Sequence, residues 1–157
     1  PLHDFMEVLM RSENSLSRGE RELIATYVSY LNDCFFCQQS HGATAQYYLQ
    51  CGIEFIDMLK NDFHGSPISD KFKSLLSIAA SVQKVGKHVA TEQVEKARSF
   101  GATDYEIHDT VLIASAFCMF NRYVDGLDTW APPDREFYIK RAKEGAERGY
   151  ANYDPHL

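Results

Sequence analysis

Two thiols and an imidazole stand at chemically suggestive spacing in the run Cys34-Phe35-Phe36-Cys37-Gln38-Gln39-Ser40-His41. A Cys-x-x-Cys pair on the first turn of a helix brings two sulfurs within disulfide reach. The helix N-terminus, with its free N–H groups and partial positive charge, favours thiolate over thiol. Cys34, Cys37 and His41 fall at i, i+3 and i+7, one stripe of an α-helix. His41 is one turn beyond Cys37 and within reach of its proton. From Cys34 it is roughly 10 Å along the axis, so it should serve Cys37. A thiol with an adjacent base is the general form of an activated nucleophile, and the chemistry this points to is thiol–disulfide redox chemistry. Which thiol meets an oxidant first stays open: the helix terminus argues for Cys34, the neighbouring base for Cys37.

Other uses of the pair fit less well. A structural zinc site wants four ligands, commonly two such pairs, and Cys51 and Cys118 are solitary residues in apolar helical surroundings. Haem attachment needs His directly after the second cysteine, where Gln38 stands. No metal and no cofactor are expected. His3, His64, His88, His108 and His156 have no partner spacing and read as ordinary core or surface histidines, and Cys51 and Cys118 as small buried hydrophobes. Tyr27, Tyr30, Tyr47, Tyr48, Phe117 and Phe120 read as core aromatics, some of which could wall a small cavity beside the thiols.

The elements that must position these residues are helical throughout. Ser17-Arg18-Gly19-Glu20 is a capping box, followed by Leu23, Ile24, Tyr27, Val28 and Leu31 at helical spacing. That helix should stop near Asn32-Asp33. Asp33 then caps a second helix from Cys34 to about Gln50, closed by Gly52. A carboxylate at that cap would oppose thiolate formation somewhat. A shorter helix covers Glu54 to Asn61, and His64 to Ser69 is a loop. A helix opens at Asp70 or Lys71, Thr91 caps a short one ending at Gly101, and Thr103-Asp104-Tyr105-Glu106 begins a long apolar helix through Phe120. Trp130-Ala131-Pro132-Pro133 breaks the pattern before Asp134 caps a last amphipathic helix at about 134–148. The expectation is an all-α, single-domain bundle over 1–157, of about six to eight helices. If the first two helices fold back at Asn32-Asp33, Glu22 on the earlier one could orient His41 and complete a Glu–His–Cys relay. By sequence alone Glu20 and Glu22 are more ordinarily solvated.

Composition bounds the partners. The chain has 157 residues, 45% hydrophobic and 24% charged, with a net charge of −6. That balance suits a globular domain and gives no basis for binding nucleic acid or an anionic membrane. Val111 to Phe120 is about half the length a membrane span needs, and Pro1 to Met10 lacks the basic start of a signal peptide. The sequence opens at Pro1, so a natural segment ahead of it is expected. Cysteine usage fits a reducing compartment, giving the expectation of a cytoplasmic protein.

The spacing Glu22-x11-Cys34-x2-Cys37-x3-His41, and the run Ser29 to Gly42, resemble the core motif of alkyl hydroperoxidase D proteins. These lie within the carboxymuconolactone decarboxylase-like superfamily, and the likeness is strongest to its peroxidase-related branch. The resemblance spans about residues 15–125. It implies an alkyl hydroperoxidase D-like bundle in which His41 activates Cys37, Glu22 feeds the proton relay and Cys34 closes the disulfide. It further implies an antioxidant enzyme that reduces hydroperoxides, or one that passes electrons to a peroxiredoxin. A lipoyl-type dithiol would be the reductant, and the assembly a homo-trimer or homo-hexamer. Decarboxylase activity is not implied, because the superfamily's decarboxylases lack the cysteine pair. Some members carry a second histidine between the cysteines, where this chain has Phe36, which makes the site more apolar.

Overall fold

The computed structural model describes residues 1–150, among which there are eight α-helices, one 3₁₀ turn and no strand. The helices are α1 (Leu2–Arg11), α2 (Arg18–Leu31), α3 (Phe35–Leu49), α4 (Ile53–Asn61), α5 (Asp70–Lys84), α6 (Thr91–Ser99), α7 (Asp104–Gly126) and α8 (Arg135–Arg148). His156 lies outside the described residues. The all-α expectation holds.

Helix starts follow capping chemistry where the sequence supplies it. Ser17 and Thr103 each accept from the N3 backbone, while Glu20 and Glu106 reach back to the N-cap N–H, giving two complete capping boxes. Asp134 accepts from the Glu136 N–H at the start of α8. Other boundaries differ from expectation. Cys34, not Asp33, occupies the N-cap of α3; Asp33 sits one residue earlier in the left-handed region (φ 57), closing the turn after α2. The carboxylate expected to oppose a thiolate from the cap is therefore not at the cap. Gln50 (φ 51) ends α3 in the left-handed conformation, and Gly52 is the N-cap of α4 instead. Ala90, not Thr91, precedes α6, its N–H donating to Gln93 Oε1 at 3.0 Å. α7 continues past Phe120 to Gly126.

α2 is the centre of the bundle. It packs most extensively on α3 and also meets α1, α4, α5 and α7. Leu23, Ile24, Ala25 and Val28 join Leu75, Leu76, Ile78, Ile113 and Phe117 in the main core. α1, unforeseen in the sequence, adds Met6, Leu9 and Met10 to that core. It is tied to α2 by the buried Arg21 guanidinium, which donates to Leu9 O at 3.0 Å and Ser12 O at 2.9 Å. α8 covers the outer side of α3, where Ala43, Tyr138 and Ala142 form a second apolar cluster. Gly42 allows α3 to lie close to its neighbours: a Cβ there would stand 3.3 Å from Ile56 Cγ2 and 3.5 Å from Thr26 Cγ2. The close α2–α3 contact is what brings the Glu22 and His41 side chains together.

Candidate active site

Cys34 begins the site. Its backbone N–H donates to Ser29 O at 3.0 Å and its carbonyl accepts from the Gln38 N–H at 3.1 Å, fixing it between α2 and the first turn of α3. Both thiols are reduced and buried, Cys34 with no exposure and Cys37 at 5%. The two thiols act on each other, and Asp125 of α7 acts on Cys34.

The pair divides its proton unequally. Cys34 is pushed up, first by its hydrogen bond to Cys37, then by burial and the hydrogen bond to Asp125. Cys37 moves down to about 7: the hydrogen bond from Cys34 is the largest cause, burial opposes it, and His41 and the Asn121 side chain add to it. A thiolate on Cys37 is therefore favoured by the Cys34 thiol, by His41 and by the Asn121 side chain. The lowered pKa thus falls on Cys37, the thiol beside His41, and not on Cys34 at the helix start.

His41 Nδ1 lies 2.6 Å from Glu22 Oε2. Burial by itself would push the imidazole pKa down; the Glu22 carboxylate, and then Cys37, outweigh it, and the net direction is up. The ring is further fixed edge-on to Phe117 at 4.5 Å. Glu22, 1% exposed, is thus a core residue, not the solvated one its sequence context suggests. Its other oxygen, Oε1, accepts from the Tyr150 O–H at 2.8 Å. Burial, then Glu22, hold the Tyr150 phenol well above its ordinary pKa, so it remains a donor. Tyr150 also stacks near the imidazole, with centroids 6.4 Å apart and planes 19° from parallel.

Cys34, Cys37, His41 and Glu22 are all brought to one place. Sequence reasoning missed Asn121, Asp125 and Tyr150. Asn121 is buried and held by neighbours: its amide donates to Ser29 Oγ at 3.0 Å, its Oδ1 accepts from Asn32 at 2.8 Å, and Asn32 accepts from Gln83 at 2.9 Å. The one legible hint was an Asn and an Asp following an apolar helix at helical spacing. Cys51 and Cys118 lie apart and are half-buried, not fully buried as expected. Of the aromatics expected in the core, Tyr27 and Phe117 are buried, and Tyr48 instead lines a cavity. That cavity, of about 290 Å³, lies between α3 and α8, with Phe36, Ser40, His41, Tyr138 and Tyr150 among its walls. Among the described residues no group of three or more His, Cys, Asp or Glu is arranged to hold a metal ion.

Comparison with known proteins agrees with this geometry. The model of the carboxymuconolactone decarboxylase family matches residues 2–46, the stretch that carries Glu22, Cys34, Cys37 and His41. An uncharacterised peroxidase-related protein from Silicibacter sp. TM1040 superposes with a TM-score of 0.79 at 28% identity, covering 88% of this chain and 70% of that one. A second, described as an alkylhydroperoxidase AhpD core from Ralstonia eutropha JMP134, gives 0.79 at 25% identity over 88% of this chain and 71% of its own. The chain is thus similar, in sequence over residues 2–46 and in fold over most of its length, to the alkyl hydroperoxidase D-like, carboxymuconolactone decarboxylase-like proteins. A putative antioxidant defence protein, AhpD, from Agrobacterium tumefaciens has the same fold, with a TM-score of 0.73 at 19% identity over 85% of this chain and 89% of that one. A search of curated proteins finds no match. Among the described residues no helix is long and apolar enough to cross a membrane.

Proposed function

We propose that the chain is a thiol-dependent peroxidase in which Cys37 is oxidised by a hydroperoxide, Cys34 resolves it, and Glu22 and His41 manage the proton. The observation that carries this is the Glu22–His41 contact of 2.6 Å beside a thiol whose pKa is lowered to about 7. A thiolate present at neutral pH next to an imidazolium is the form that attacks an O–O bond. The sulfur takes the proximal oxygen, the O–O bond breaks, and the peroxide leaves as alkoxide, which takes the proton from His41. Cys37 is then a sulfenic acid. The Cys34 thiol attacks it, forming the disulfide and releasing water. Asp125, which acts on Cys34, takes that thiol's proton and returns it to the departing hydroxide, which leaves as water. An external dithiol, of lipoyl type or held by a partner protein, returns the pair to its reduced form.

The burial of both sulfurs favours a small oxidant over a partner protein's disulfide as the electron acceptor. The cavity beside His41 is far larger than the ~30 Å³ a water claims in the liquid, and its aromatic walls suit an organic hydroperoxide. Cytoplasmic residence and assembly into a homo-trimer or homo-hexamer belong to the same reading. Steady-state consumption of cumene hydroperoxide with dihydrolipoamide as reductant tests it. The protein should turn over and Cys37→Ser should not. Equal consumption by both would remove Cys37 from the reaction, and consumption only after adding a peroxiredoxin would make the chain an electron-transfer adaptor.

A further inference from the structure

Tyr138, on α8, is 3% exposed, and its hydroxyl has no hydrogen-bond partner among the described residues. A buried hydroxyl left unpaired is a net cost to folding, and phenylalanine would fill the same space without it. The ring is not loosely placed. It meets the two residues that separate the cysteines edge-to-face, Phe36 at 5.9 Å and Phe35 at 6.3 Å, and is closed on another side by Phe137 at 5.2 Å. These contacts hold the ring in place. The same side chain shares the walls of the cavity between α3 and α8 with Phe36 and His41. Burial, and then the charge on Cys37, hold the phenol above its ordinary pKa, so it is a protonated donor at neutral pH.

We propose that Tyr138 is a catalytic residue of the thiol site, its O–H donating a hydrogen bond to the hydroperoxide oxygen that departs when Cys37 is oxidised. This rests on the hydroperoxide reading above and extends it to recognition of the substrate oxygen. As the S–O bond forms and the O–O bond breaks, two electrons pass from sulfur to the peroxide and negative charge builds on the departing oxygen. A donor already desolvated and already oriented stabilises that charge without reorganising. The phenol keeps its proton; the departing alkoxide is neutralised by the His41 imidazolium. The hydroxyl thus acquires its partner only during the reaction, which accounts for its being unpaired beforehand.

Tyr138→Phe separates this from a packing role, because both reactions of Cys37 need the thiolate but only one has a departing oxygen. Cys37 oxidation by cumene hydroperoxide and Cys37 alkylation by iodoacetamide are timed at pH 7 in wild type and variant, alongside the thermal midpoint. The variant should be oxidised about tenfold more slowly or worse, and alkylated within about twofold of the wild-type rate. It should melt no lower than wild type. Oxidation at the wild-type rate overturns the proposal and leaves the peroxidase reading intact. Parallel slowing of both reactions also overturns it, by placing the hydroxyl's effect on the thiolate. A wild-type protein alkylated at Cys37 but inert to peroxide removes the peroxidase reading and this proposal with it.

Discussion

Glu22 and His41, 19 residues apart in sequence, meet at 2.6 Å inside the bundle, one on α2 and the other one turn beyond Cys37 on α3. The contact gives a cysteine that would ordinarily be protonated at neutral pH a cationic neighbour. Its consequence is a pH profile. Cys37, lowered to about 7, should be alkylated at a rate that rises with pH through that value, because the thiolate forms as pH climbs. Glu22→Gln removes the charge that keeps the imidazole protonated, so the midpoint should move up by about one unit, making alkylation at pH 7 about fivefold slower. His41→Ala should move it in the same direction with the helical fold intact. An unchanged profile in both variants would remove the relay from the mechanism.

Tyr150 should matter to stability as well as to the site. Its hydroxyl is the donor to the second oxygen of a carboxylate that is 1% exposed. Tyr150→Phe leaves that oxygen buried and unpaired, at a cost of about 1–3 kcal/mol. The denaturant midpoint should fall with no change in the slope. A midpoint equal to wild type would mean that the Glu22 carboxylate finds another partner when the phenol is gone.

What could be read from the sequence, and what could not, follows from how far apart the interacting residues lie. Cys34, Cys37 and His41 are on one helix, so their spacing alone predicts a shared stripe. The boxes at Ser17/Glu20 and Thr103/Glu106 are local and were legible for the same reason. Glu22 needed the packing of α2 on α3. The resemblance to a family supplied that placement, whereas its local context argued for solvent. Asn121, Asp125, Tyr138 and Tyr150 come from α7, α8 and the residues just after α8, and reach the site only through tertiary packing. α1 is not legible in this way, because Pro1 at its N-cap makes no side-chain cap bond and no capping residue announces the helix. Asp33 was misplaced by one residue, since an Asn-Asp turn suits either a left-handed residue or an N-cap. Only the packing of Cys34 against Ser29 decides between them.

The central claim is that Cys34 and Cys37 form the redox couple, with Cys37 oxidised first. One equivalent of cumene hydroperoxide added to the reduced protein at pH 7, followed by blocking of free thiols and peptide mass spectrometry, tests it most directly. The account predicts a single new bridge, Cys34–Cys37, with Cys51 and Cys118 still reduced, and in Cys34→Ser a sulfenic acid confined to Cys37. Cys34 and Cys37 recovered as free thiols while Cys51 or Cys118 is oxidised would contradict it.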